Sequence, residues 1–301
     1  MNIGRESLRV APALALTVTY NREIRAGIKR IWENVFDWEH LPILHETHFN
    51  AVELLDIGSW GWRVALTKQP GTPDRRMVLE LQADRANARY RVQTLAGDGA
   101  VTEIWTLMEP KGPHRTAVEV RYYLPEPRPE KLIALAETYR CSCARLWDED
   151  EAMMMRREAL TARAATARNL TASAILHFGA LSELRQRLPI LVELDGEEFR
   201  ILTTEDGTLL VHATTCPHWL GPLAEVEPEH GILRCPWHGY RFDMRTGDSV
   251  DGRGYRLAPA PLVTVHPVTG EVSLFPTGEP DRPRSGNSTV KSPISGRKAQ
   301  T

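Results

Sequence analysis

Cysteine is scarce in this chain. Four in 301 residues exclude a disulfide-stapled scaffold, and a reducing, cytoplasmic setting is the expectation. Long apolar runs are missing too, since no stretch reaches the ~18 residues that a membrane-spanning helix needs. The run VAPALALTV after Arg5 and Arg9 faintly imitates a secretory signal, but Pro12 interrupts it and no small-residue cleavage site follows; it reads as a strand. Charge of one sign is also absent: 37 Lys+Arg against 39 Asp+Glu leave a net charge of -2. That removes any general field for nucleic acid or an anionic membrane. There is no GxGxxG fingerprint, so nicotinamide chemistry would have to reside on another protein.

What is present is ordinary globular material, 42% hydrophobic and 25% charged, long enough for about two domains. A strand is expected over Leu14–Tyr20, then a helix from Ile24 to about His40, where apolar residues recur at steps of three and four before Pro42 interferes. From Val52 to Leu124, short alternating segments broken by Gly, Pro and Asp predict consecutive antiparallel strands. Glu130 to about Ala165 holds neither Pro nor Gly and predicts one long closing helix. The fold class is therefore α+β, an antiparallel sheet wrapped around a helix with a concavity between them.

Residues 1–165 read as one domain and 166–188 as a mostly helix-compatible connector. Residues 189–276 read as a small all-β domain. The tail 277–301, rich in Ser, Pro, Gly and basic residues, reads as disordered.

Two loops carry the strongest chemical signal. CPHWLGPL begins at Cys216 and CPWHGYRFD at Cys235, giving Cys-x-His, sixteen residues, then Cys-x-x-His. Two thiolates and two imidazoles suit a tetrahedral zinc or a Rieske 2Fe-2S cluster, in which two cysteines hold one iron and two histidines the other. Pro directly after each Cys and Gly shortly after each His, among short strands unlike a zinc finger, favour the cluster. The segment resembles the Rieske family, and the resemblance implies Cys216, His218, Cys235 and His238 as cluster ligands. Respiratory members carry an extra cysteine in each loop and a serine after the second His-Gly; here Leu220, Trp237 and Tyr240 stand there. Fewer hydrogen bonds to the cluster sulfurs then imply a low potential, of the kind that feeds electrons to oxygenases.

The stretch ENVFDWEHLPILH, Glu33 to His45, makes a second constellation. On one continuous helix Glu33, Asp37 and His40 would share a face, His45 would lie ~140° round from His40, and Pro42 supplies a break that can turn both imidazoles to one metal. Two histidines and a carboxylate with open positions make the facial triad of iron(II) oxygenases. Glu33-Asn34-x2-Asp37-x2-His40-x4-His45 is similar to the catalytic motif of Rieske non-heme iron oxygenases, whose catalytic domain is START-like. That resemblance implies Fe(II) on His40 and His45, with a third ligand from LWDEDEAMMMRRE on the closing helix. Asp150 is the choice, with Asp148 and Glu149 open as alternatives. It also gives Glu33, Asn34 and Asp37 catalytic roles, Asp37 as a bridge from an iron ligand to a cluster histidine, most naturally His238.

By the same resemblance the protein uses O2 and electrons from NAD(P)H, delivered by a separate reductase with or without a ferredoxin. It would hydroxylate or oxidatively demethylate an apolar or aromatic small molecule. The family usually forms homotrimers in which one subunit's cluster feeds the neighbour's iron, and usually places the Rieske domain first; here the order is reversed. The rival readings are a hydrophobic-ligand carrier or sensor with a Rieske module, and a plain electron carrier. Cys141 and Cys143 face different ways on a helix and make a poor chelate. Met153, Met154 and Met155 suit a core or pocket, while Trp60, Trp62 and Trp105 fall on strands. His48, His114, His177, His212, His230 and His266 lack ligand spacing.

Overall fold

The computed structural model describes residues 14–68, 76–97, 102–125, 129–166, 175–204 and 206–276. The tail beyond 276 and the first thirteen residues lie outside the described residues. Seven antiparallel strands form the larger sheet: β1 (Ala15–Ile24), β2 (Phe49–Gly58), β3 (Gly61–Lys68), β4 (Arg76–Asp84), β5 (Arg89–Gly97), β6 (Glu103–Gly112) and β7 (Arg115–Leu124), in the order β1-β7-β6-β5-β4-β3-β2. β7 alternates strictly between buried and less buried positions, the mark of a strand with one face on a core. Across that face lies α3 (Leu132–Thr166), 35 residues long. Sheet and gripped helix give the expected α+β helix-grip class.

The expected first helix is shorter than its apolar period. α1 spans Ile28–Phe36 and α2 only Leu41–Leu44. α1 follows Gly27, a position only glycine fits, since any Cβ there would lie 2.2 Å from the carbonyl oxygen of Pro113. Asp37 ends it in an extended conformation, its N–H donating to the Asn34 carbonyl at 3.0 Å. The Val35 carbonyl, left without a helical partner, accepts from Trp62 Nε1 at 2.9 Å. The apolar period runs on past this break because Trp38 and Leu41 pack into the same core as Ile31, Trp32 and Val35.

The second unit is built from short strands. β9 (Ile190–Leu194), β10 (Glu197–Thr203) and β11 (Leu209–Ala213) form one sheet, and β12 (Ile232–Arg234) pairs with β13 (Arg241–Asp243). β15 (Glu271–Phe275) pairs with β14 (Leu262–Val265) on one side and with β8 (Leu176–Ala180) on the other, and α4 (Leu181–Arg187) follows β8. Thr166–Leu188 was expected to be a mostly helix-compatible connector; within it Leu176–Ala180 is a strand, because β15 offers it an edge that no local signal announces.

Each unit has its own hydrophobic cluster, and α3 serves both. Met154 is buried in the cluster under the large sheet, while Met153, its neighbour in sequence, is buried in the second with Leu233, Phe242 and Trp237. Among the described residues no helix is long and apolar enough to cross a membrane.

Candidate metal centres

The two Cys/His loops arise from the same local geometry used twice. The first follows β11 and closes with the Leu220 N–H donating to the Cys216 carbonyl at 3.0 Å and the Cys216 N–H to that of Gly221 at 2.9 Å. The second joins β12 to β13, with Gly239 N–H to the Cys235 carbonyl at 2.9 Å and Cys235 N–H to that of Tyr240 at 2.8 Å. Gly239 takes φ 69 in its turn. Cys216 and Cys235 are buried free thiols. A thiol-to-thiol hydrogen bond, then burial, raises Cys216, and the same bond lowers Cys235. Both must give up their protons to bind metal as thiolates.

The imidazoles of His218 and His238 stand edge to face, centroids 4.5 Å apart. Burial, then the neighbouring His238, pushes His218 down to about 3, which keeps the neutral form a metal requires. Nδ1 of His218 and Nδ1 of His238 are both buried without a hydrogen-bond partner. Buried polar atoms are rarely left so. Two thiols and two orphaned imidazole nitrogens are the donor set of a 2Fe-2S cluster with one sulfur-bound and one nitrogen-bound iron, and the residues present fit it. Gly221 guards the space: a Cβ there would stand 2.6 Å from Cys235 Sγ and 3.3 Å from the Trp237 ring. Gly221→Ala is expected to abolish cluster incorporation, read as loss of the visible absorption and the reduced EPR signal, while circular dichroism keeps the strand content. Full incorporation in that variant would contradict this packing.

The second group lies under the large sheet. His40 precedes α2 and His45 follows it, so one short turn with Pro42 inside it sets both rings toward α3, centroids 5.0 Å apart. Asp150 Oδ1 is 3.4 Å from His40 Nε2 and 3.2 Å from His45 Nε2. The three side chains offer ligand atoms that all lie within 4.8 Å of one another. The opposite ring nitrogen of His45 meets Glu149 Oε2 at 2.6 Å, a carboxylate behind a histidine that fixes tautomer and raises basicity. Burial alone would lower His45, but Asp150 and then Glu149 carry it upward. Burial would raise Asp150, and His45, His40 and Asn34 together hold it below the usual carboxylate range. Asn34 Nδ2 donates to Asp150 Oδ1 at 3.0 Å. Two imidazoles and a carboxylate fit a facial triad.

Of the neighbouring acids, Asp148 turns outward to Arg22, and Glu151 is buried against Arg22 and Arg25. Glu33 does not reach the group. It pairs with Arg30 and with Arg157, because α1 stops before Asp37 and the two carboxylates leave the chain from different backbone geometries. Asp37 stands between the two centres: its Oδ2 is 2.6 Å from His238 Nε2 and 3.3 Å from His40 Nδ1. Burial would raise its pKa, but His238 and His40 hold it well below the usual carboxylate range. These three side chains also lie within 4.8 Å by their ligand atoms.

Sequence reasoning passed over several contacts. Glu149 behind His45 was weighed only as an alternative ligand. Glu39 binds Tyr240 at 3.3 Å and Arg253 at 3.0 Å across the two units, and Arg253 covers the Tyr240 ring, which stacks on His218. His48 bonds Ser142 on α3. Each joins residues far apart in sequence, where spacing carries no signal.

A cavity of about 380 Å³ opens beside His40, His45 and Asp150. Trp62, Leu81, Tyr122 and Trp147 are among the residues that line it.

Residues 175–259 match the family model described as Rieske [2Fe-2S] domain. Apoptosis-inducing factor 3 of Mus musculus and of Homo sapiens are each 37% identical over 54 residues, 18% of this chain and 9% of those proteins. The alignment thus spans under a tenth of the curated relatives. Among solved structures, an aromatase/cyclase from Streptomyces sp. R1128 has a TM-score of 0.40 at 13% identity, over 46% of this chain and 93% of that one. A START superfamily protein from Mycobacterium smegmatis has a TM-score of 0.38 at 18% identity, over 46% and 99%. Norcoclaurine synthase from Thalictrum flavum has a TM-score of 0.37 at 19% identity, over 48% and 88%. The second unit, with its paired Cys/His loops, is a Rieske 2Fe-2S domain, which points to redox or electron-transfer chemistry.

Proposed function

We propose that this protein is a Rieske-type oxygenase. In this reading residues 1–165 are the catalytic unit, 166–188 the connector and 189–276 the Rieske unit. Cys216, His218, Cys235 and His238 hold the cluster, and His40, His45 and Asp150 hold a mononuclear Fe(II). When bound, the cluster supplies electrons one at a time and the Fe(II) activates O2 beside the substrate cavity. The observation that carries the reading is Asp37, whose one carboxylate oxygen faces a histidine from each constellation. A carrier or a plain electron-transfer protein has no use for that connection.

The chain's own residues have separable tasks. With Nδ1 of His238 directed to the cluster, its Nε2–H donates to Asp37, which fixes the ring. Glu149 does the same for His45, and Asn34 orients Asp150 through its amide. The apolar wall of the cavity keeps bulk water from the group. Electrons would come from a separate NAD(P)H-dependent reductase, and the substrate would be an apolar or aromatic small molecule.

Iron and sulfide counting on anaerobically reconstituted protein tests this. The expected result is a cluster's two irons and two sulfides plus one further iron per chain, with a rhombic EPR signal and a midpoint potential below zero. His40→Ala, His45→Ala and Asp150→Ala should each lose the further iron and keep the cluster signal. Unchanged iron in all three would favour the carrier reading. If only Asp150→Ala retains its iron, Asp150 is not the third ligand.

A further inference from the structure

The cavity's shape and charge narrow what it can hold. Its lining on α3 includes Tyr139, Ser142, Leu146 and Asp150, one stripe at steps of three and four that runs along ~16 Å of helix at 1.5 Å per residue. The site is a slot with the histidines at one end. An apolar cavity of ~150 Å³ takes one benzene ring, so about 380 Å³ has room for two or three.

Among the described residues, neither Lys nor Arg lines this slot. Its fixed carboxylates, Asp37 and Asp150, are already engaged by His238, His40, His45 and Asn34. At the end of the slot away from His40, His45 and Asp150, neither an anion nor a cation would meet a fixed counter-charge, and either would leave water at high cost.

The far end is polar without being charged. Ser142 Oγ lies 2.6 Å from His48 Nε2, and the other nitrogen of His48 lies 2.9 Å from Thr47 Oγ1. If Nε2 accepts from Ser142, the hydroxyl oxygen keeps lone pairs to accept with; if Nε2–H donates, the hydroxyl proton is left to give. Either tautomer leaves Ser142 one hydrogen bond for a guest.

We propose that the slot takes an uncharged, elongated molecule of two or three rings, with a hydroxyl or carbonyl held by Ser142 at the end away from His40, His45 and Asp150. This rests on the cavity being the substrate site of the proposed oxygenase.

Calorimetric titration of the metal-loaded protein under nitrogen, without turnover, tests it with one skeleton in four forms: biphenyl, 4-phenylphenol, biphenyl-4-carboxylate and 4-phenylbenzylammonium. The phenol should bind at least about tenfold more tightly than either ion. Ser142→Ala should weaken the phenol about three- to tenfold and leave biphenyl unchanged. The inference is overturned if an ion binds as well as the phenol, if Ser142→Ala leaves the phenol's affinity intact, or if none of the four binds. Because no oxidation is read, a missing second iron would end the oxygenase reading and leave these affinities interpretable. Equal affinities with both metals present would end this inference alone.

Discussion

Asp37→Asn is expected to keep both metal centres and yet leave the reduced cluster reoxidising about a hundredfold more slowly, or worse, when the protein is mixed rapidly with O2 and substrate. The substitution keeps size and an amide oxygen for His238 Nε2–H, but removes the charge. Hydrogen bonds to a carboxylate are about twice as strong as neutral ones, and this carboxylate faces two imidazoles from a buried position. Weakening both contacts loosens the spacing of the two histidines, and displacements of ~1 Å in such sites cost about 10²-fold. EPR of the freeze-quenched mixture reads the cluster's oxidation state directly. Wild-type reoxidation in this variant would remove Asp37 from the electron path.

Mixing two inactive chains should give no rescue. The Asp37 to His238 contact, the Glu39 pairs with Tyr240 and Arg253, and the Arg156 bond to the Leu220 carbonyl at 3.0 Å all lie within one chain. Arg157 covers the Trp219 ring at 4.4 Å in the same chain. Cys216→Ser, made to lack the cluster, and His40→Ala, made to lack the second iron, are therefore expected to stay inactive when co-expressed and purified as one mixed preparation. Cluster reoxidation in the His40→Ala chains should be no faster than without the partner. Iron analysis first confirms that Cys216→Ser retains its second iron. Recovery of about a quarter or more of wild-type turnover would mean that electrons cross between chains, as the resemblance to trimeric oxygenases implied, and the single-chain path would be abandoned.

The sequence carried the chemistry further than the backbone. Short-range spacing pointed to both groups of side chains, since residues held by one loop or one turn sit close in sequence: Cys216 with His218, Cys235 with His238, His40 with His45. The sheet and α3 were legible for a similar reason, because alternation and helix-forming composition are local. Helix ends were not. Trp38 and Leu41 prolong the apolar period of α1 beyond its stop, since the core receives side chains from a broken backbone as readily as from a helix. β8 was hidden because its strand state depends on β15, some ninety residues away. His48 was set aside for want of ligand spacing, a criterion blind to a hydrogen bond with Ser142. Glu33 was drawn into the site by a helical face that ends one residue short of Asp37.

Met153 and Met154 bear on how the protein melts and on how it can be rebuilt. Each is 1% exposed, and removing either side chain from its core would cost about 2–5 kcal/mol. Because one helix supplies both, neither core is complete without the other's support. Heating is then expected to unfold the two units in a single calorimetric transition, whereas a linker between self-sufficient modules would give two. Grafting the Rieske unit onto another oxidase would also require the stretch of α3 around Met153, since a cut between α3 and β8 leaves an unfilled socket beside Leu233 and Phe242.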